Sequence, residues 1–142
     1  MKKFFYLLFV IICLSCSENT NINNCFGNFS FIESFDLNNP EFISILTPGN
    51  HVITSRSGRN LLIINRGGTP KYHAFDLQCP EKDCSSPMTF DGLKLNCVCG
   101  DHHYSSYSGF PVDKEGTQID GDCNALMYFT TPLSGNRLRI SR

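Results

Sequence analysis

No window of this 142-residue chain holds a sustained 3.6-residue apolar period with helix caps, so a helical bundle is excluded. There is no surplus of basic residues: 12 Lys and Arg stand against 13 Asp and Glu. Nucleic acid is therefore not an expected partner, because counterion-releasing binders need a basic surface. No apolar run is long enough to cross a bilayer as a helix; the longest, Phe4 to Leu14, has eleven residues. The body of the chain has no C-x-x-C, the one instance being Cys13-Leu14-Ser15-Cys16 at the end of the N-terminal apolar run, so it lacks the usual signature of a thiol–disulfide enzyme. A Gly-rich phosphate loop, a nucleophile elbow, internal repeats and calcium-loop spacing are absent too. What the chain has in excess is cysteine. Eight in a chain of this length call for disulfides, metal, lipid or a mixture of them.

Two of the eight belong to the N-terminus. Met1-Lys2-Lys3 is a short basic start, and the apolar run after it suits the core of an export signal. The run closes on Cys13-Leu14-Ser15-Cys16-Ser17, with a small residue before Cys16. This resembles the lipobox of bacterial lipoproteins, with Cys13 where Leu is usual. The resemblance implies a signal peptide over 1–15, lipid on Cys16, and an exported protein of the bacterial cell envelope. It would be held at the outer membrane or the periplasmic face. An ordinary cleaved signal is the alternative. Ser17 to Asn24 is polar and aperiodic, as a tether would be, and the tether is expected to run over 16–28. Without Lys2 and Lys3 the remainder is mildly acidic, so acyl chains rather than charge would make its membrane contact.

The body reads as strands and turns. Short β-branched and aromatic runs occur at Phe29–Ile32, Val52–Ser55, Leu61–Ile64, Tyr72–Phe75, Leu93–Asn96, Met127–Thr130 and Arg137–Ile140. Turn residues separate them at Pro48-Gly49-Asn50, Gly67-Gly68-Thr69-Pro70, Asp91-Gly92 and Ser134-Gly135-Asn136. One helical turn is expected within Pro40–Leu46. An all-β sandwich or barrel follows.

The chemistry concentrates in two clusters, Cys79-Pro80-Glu81-Lys82-Asp83-Cys84 and Cys97-Val98-Cys99-Gly100-Asp101-His102-His103-Tyr104. Together they resemble the Rieske iron–sulfur domain. There each of two loops supplies a Cys and a His ligand, as C-x-H and then C-x-x-H, and an extra Cys per loop forms a bracing disulfide. Cys79 and Cys97 match the ligand cysteines, and Cys84 and Cys99 match the bracing pair. Fifteen residues lie between Glu81 and Cys97, which fits the interval between the motifs. Tyr104 and Gly109 match an aromatic residue and a turn Gly beyond the second motif. The flanking runs at 61–64, 72–76, 126–128 and 138–140 resemble the strands around it. The resemblance covers about Phe29 to Arg142. It implies an all-β Rieske-like fold: an antiparallel base with a small Cys-bearing subdomain, over 66–116, inserted in it.

The departures fall on the ligands. Glu81 stands at the first His position and Gly100 at the second. A Rieske cluster needs two thiolates and two neutral imidazoles, and Gly100 offers no side chain. Three readings follow. In the main one no cofactor is bound: Cys84 pairs with Cys99, and Cys79 with Cys97 where the cluster would sit. Cys25 and Cys123 are then left to pair by elimination. Each of the first two bonds would close a loop of about 15 to 20 residues, contributing about 3 kcal/mol. Such a domain would be structural, or would bind an envelope protein partner that the sequence does not identify. In the second reading a 2Fe–2S cluster persists for electron transfer on Cys79, Cys97, Glu81 and His102. In the third, zinc takes the same cysteines with His102 or His103. The remaining polar groups carry no catalytic pattern. Ser105, Ser106 and Ser108 near His102 and His103 read as a loop, as do Asp113, Glu115, Asp120 and Asp122. His51 and His73 read as a turn residue and a strand residue.

Overall fold

The computed structural model describes residues 25–81 and 84–142. The signal segment, Cys13, Cys16 and the stretch to Asn24 lie outside the described residues, as do Lys82 and Asp83. Among the described residues ten strands run in chain order. They are β1 (Ile32–Asp36), β2 (His51–Arg56), β3 (Arg59–Asn65), β4 (Tyr72–Asp76), β5 (Thr89–Phe90), β6 (Lys94–Asn96), β7 (His103–Ser105), β8 (Pro111–Val112), β9 (Met127–Leu133) and β10 (Arg137–Ser141). A six-stranded sheet has the order β1-β10-β9-β4-β3-β2, and a four-stranded sheet the order β5-β6-β7-β8. All pairings are antiparallel. This is an all-β chain with an antiparallel base and a small Cys-bearing sheet, the architecture that the Rieske resemblance implies.

The continuous apolar run Leu61-Leu62-Ile63-Ile64 explains how the two sheets meet. Successive strand residues point to opposite faces. A strand apolar at every position must therefore be buried on both. Leu61 and Ile63 enter one core with Phe35, Phe42, Ile45, Tyr128, Leu138 and Ile140. Leu62 and Ile64 enter a second core with Phe75, Leu95, Tyr104 and the cysteines of the small sheet. Strand β3 is thus the shared wall between the base and the Cys-bearing sheet.

Several expected boundaries move. The strand expected at Phe29–Ile32 begins only at Ile32, whose partner is Ser141. Phe29 instead lies between two guanidinium groups, 3.6 Å from Arg59 and 4.2 Å from Arg142. The expected tether ends earlier than Asn28, because Phe26 is buried in the first core and Cys25 is disulfide-bonded. The helical turn within Pro40–Leu46 is a 3-10 helix, Ile43–Leu46. Within the interval 66–116 the four-stranded sheet spans only Thr89 to Val112, while β4 pairs with β3 and β9 in the base. Strands β5, β7 and β8, of two or three residues, are too short to show an alternating pattern. The β2–β3 hairpin turns on Ser57-Gly58, both with positive φ, the two-residue turn whose twist matches its strands.

Candidate functional site

The first cysteine loop leaves the base after β4 and is pinched at its neck. The Met88 N–H donates to the Leu77 carbonyl at 2.6 Å, and Gln78 and Pro87 form a β-bridge. The second loop is the turn between β6 and β7, closed by the Cys97 N–H donating to the His102 carbonyl at 2.9 Å. The two loops meet through sulfur. Cys79 bonds Cys97 with Cα atoms 5.6 Å apart, and Cys84 bonds Cys99 at 5.3 Å. The Cys99 N–H donates to Cys84 Sγ at 3.2 Å, tying loop backbone to the bridge. Cys79, Cys84 and Cys97 are buried among Leu77, Met88, Leu95 and Tyr104. The third bond, Cys25–Cys123, fastens the N-terminal segment to the chain just before β9, with a Cα separation of 5.8 Å.

The polar candidates gather on one side of these bridges. Glu81, Asp101, His102, His103 and Asp120 line a cleft of about 220 Å³, and the sulfur in its wall is that of the already paired Cys123. Glu81 accepts a long hydrogen bond, 3.4 Å, from the Tyr104 hydroxyl. His103 has both ring nitrogens engaged, Nδ1 with Asn96 Oδ1 at 2.7 Å and Nε2 with Asp101 Oδ1 at 3.2 Å. Lys114 sits 2.8 Å from Asp101 and, by hydrogen bond and charge, holds that carboxyl below its usual range. His102 is exposed, its ring beside Gly100. Gly100 has φ +88, and a Cβ there would come within 3.2 Å of the His102 ring. Position 100 therefore takes a glycine for two reasons, backbone conformation and space. A larger residue there would strain the backbone and push against the exposed His102 ring.

The donor set does not fit a Rieske cluster. Two imidazoles are needed beside the two thiolates. The second ligand position has no side chain, Glu81 replaces the first, and His103 is committed to Asn96 and Asp101. Among the described residues, no three His, Cys, Asp or Glu side chains converge as a metal site would require. The serines are structural. Ser106 is buried and donates to the Leu93 carbonyl at 2.6 Å. It also receives Arg66 Nη2 at 2.6 Å on its hydroxyl and 2.8 Å on its carbonyl. Ser105 Oγ accepts from the Tyr107 and Ser108 N–H groups. Asp113 accepts from the Thr117 N–H.

Two polar clusters had no sequence signal. Asp76, 1% exposed, accepts Arg59 Nη1 and the Tyr128 hydroxyl, each at 2.6 Å, on Oδ2. Its Oδ1 accepts the Gln78 N–H at 2.8 Å. Burial raises the Tyr128 phenol well above its ordinary pKa, with Asp76 adding to the effect, so it remains a donor. The second cluster surrounds His73, whose Nδ1 is buried without a partner. Burial lowers the His73 pKa, and the nearby Arg66 charge lowers it further. The unfolded chain, with the ordinary His value near 6.5, thus binds more protons than the folded one. His73 contributes full stability above about pH 6.5, lost as pH falls toward the folded value. Denaturant titrations between about pH 7 and pH 5 are expected to show a weaker acid decline in His73→Gln than in the parent. Equal slopes would contradict this assignment.

Two solved structures share a general outline with this chain. A ferredoxin of carbazole 1,9a-dioxygenase from Nocardioides aromaticivorans IC177 matches with TM-score 0.44 and 13% identity, over 66% of this chain and 86% of that one. A protein described as an NADH-dependent nitrite reductase small subunit from Mycobacterium tuberculosis matches with TM-score 0.48 and 12% identity, over 81% and 97%. No family model matches the sequence, and no curated protein matches it significantly.

Proposed function

We propose that this chain is a cell-envelope lipoprotein. Its Rieske-like domain serves as a disulfide-braced structural or interaction module rather than as an electron carrier. The observation that carries this reading is the pairing of the four loop cysteines with one another beside a second ligand position occupied by a positive-φ glycine, which carries no side chain. The bonds close loops with sequence separations of 18 and 15, contributing about 3 kcal/mol each on the chain-entropy account. Three disulfides suit an oxidising, exported compartment. The lipobox-like Cys16 supplies the membrane attachment. Among the described residues no helix is long and apolar enough to cross a membrane.

The test is the visible absorption spectrum and metal content of the full chain purified without oxygen. A colourless protein without stoichiometric metal is expected. Red-brown protein with stoichiometric iron would overturn the reading in favour of electron transfer through a 2Fe–2S cluster. Stoichiometric zinc would overturn it in favour of a structural metal site.

A further inference from the structure

One face of the large sheet is covered by the small sheet over only part of its width. Over β4 and β3 the side chains of Phe75, Leu62 and Ile64 are buried in the second core. Over β9, β10 and β1 the same face is bare. Cross-strand partners share a face, and Ile32 stands opposite Ser141, which stands opposite Phe129. Met127 stands opposite Phe75. Phe129 is 77% exposed, Ile32 67% and Met127 46%. Next to them on this face lie Ser34, Arg139 and Thr131. Within β1, β9 and β10 the first carboxylate of the face is Asp36, at the far end of β1.

The N-terminal chain joins the domain at the end where these apolar groups lie. Cys25 is bonded to Cys123, just ahead of β9. Arg142, just past β10, donates its N–H to the Phe31 carbonyl at 2.8 Å and Nη1 to the Gly27 carbonyl at 3.1 Å. Cys16 precedes Cys25 by nine positions, which reach at most roughly 30 Å when fully extended. An anchor so close keeps this end of the sheet next to the bilayer at high effective concentration.

We propose that the bare β9–β10–β1 face rests on the lipid surface, with Phe129, Ile32 and Met127 entering the headgroup boundary and Arg139 meeting lipid phosphates. This rests on the lipidation of Cys16 proposed above. The acyl chains hold the protein, and the face fixes its orientation, turning the cysteine loops of the small sheet in a defined direction. Without Lys2 and Lys3 the chain carries 10 basic against 13 acidic side chains, which gives no general attraction to anionic lipid. The contact comes from apolar area that a tether makes sufficient.

The chain has no Trp, so Phe129→Trp places a single reporter on the face. In a separate variant, Val98→Trp places a reference on the Cys97–Cys99 loop, where Val98 is exposed. The full chain is produced with its leader. Its intact mass shows whether acyl chains were added, and the mature protein is reconstituted into phosphatidylethanolamine–phosphatidylglycerol vesicles with and without brominated lipid. The expected result is an acylated protein in which the indole of the Phe129→Trp variant emits to the blue and loses most of its intensity to brominated lipid. The indole of the Val98→Trp variant keeps solvent-like, unquenched emission. An acylated protein whose face reporter is unquenched overturns the docking and leaves the lipoprotein reading intact. Unquenched but blue-shifted emission from that reporter assigns the face to a second protein surface instead. Equal quenching of both reporters overturns the orientation. A mass without acyl chains overturns the lipoprotein reading, and this contact with it.

Discussion

Replacing Cys25 and Cys123 together by Ala is expected to cost the domain about 4 to 5 kcal/mol, the largest loss for any of its three disulfides. The reason is loop length. This bond joins residues 98 positions apart, against 18 and 15 for the other two. The entropy that a cross-link removes from the unfolded chain grows with the logarithm of that interval. Folded-state packing acts in the same direction. Cys25 leads into Phe26 and Phe31 of the first core and into Phe29 between Arg59 and Arg142. Denaturant unfolding of the double variant, with its slope as well as its midpoint, measures the loss. The paired replacement of Cys84 and Cys99 is expected to cost about 3 kcal/mol. A smaller loss at Cys25–Cys123 than at Cys84–Cys99 would contradict the assignment.

Asp76→Ala is expected to cost about 3 to 5 kcal/mol, as removal of one member of a buried ion pair does. The carboxylate serves three donors at once: Arg59, the Tyr128 hydroxyl and the Gln78 N–H. Its loss strands a partly buried guanidinium and a buried phenol where the start of β3, the end of β4 and the start of β9 meet. Asp76→Asn keeps the shape and one acceptor oxygen, so its loss should be clearly smaller than that of the alanine variant. The same unfolding experiment reads both. Equal and small losses, below about 1 kcal/mol, would mean that solvent replaces the carboxylate without penalty.

These two sites mark where the sequence was readable and where it was not. The strand at 61–64 was legible because both its faces are buried, leaving an uninterrupted apolar run. The last hairpin was legible through Ser134-Gly135-Asn136, whose Gly and Asn adopt positive φ. Strands β5, β7 and β8 were not, since two or three residues hold no period. Nor was the turn at Ser57-Gly58, where Ser57 carries a positive φ that its residue type does not announce. Asp76 gave no signal because its side-chain partners lie 17 and 52 positions away in the chain. The cysteine clusters were legible as a constellation, but their pairing came only through likeness to a family. Cys25 and Phe26 fall inside the interval expected as tether because they directly follow its polar run, yet Cys25 bonds Cys123 and Phe26 enters the first core.

The four loop cysteines bond one another across the two loops. Alkylating intact cells before disruption, then digesting the unreduced protein and weighing its peptides, tests this pairing directly. The predicted result is no alkylation at Cys25, Cys79, Cys84, Cys97, Cys99 or Cys123, with peptides linked 79 to 97, 84 to 99 and 25 to 123. Alkylated Cys79 and Cys97 in unreduced protein would contradict it.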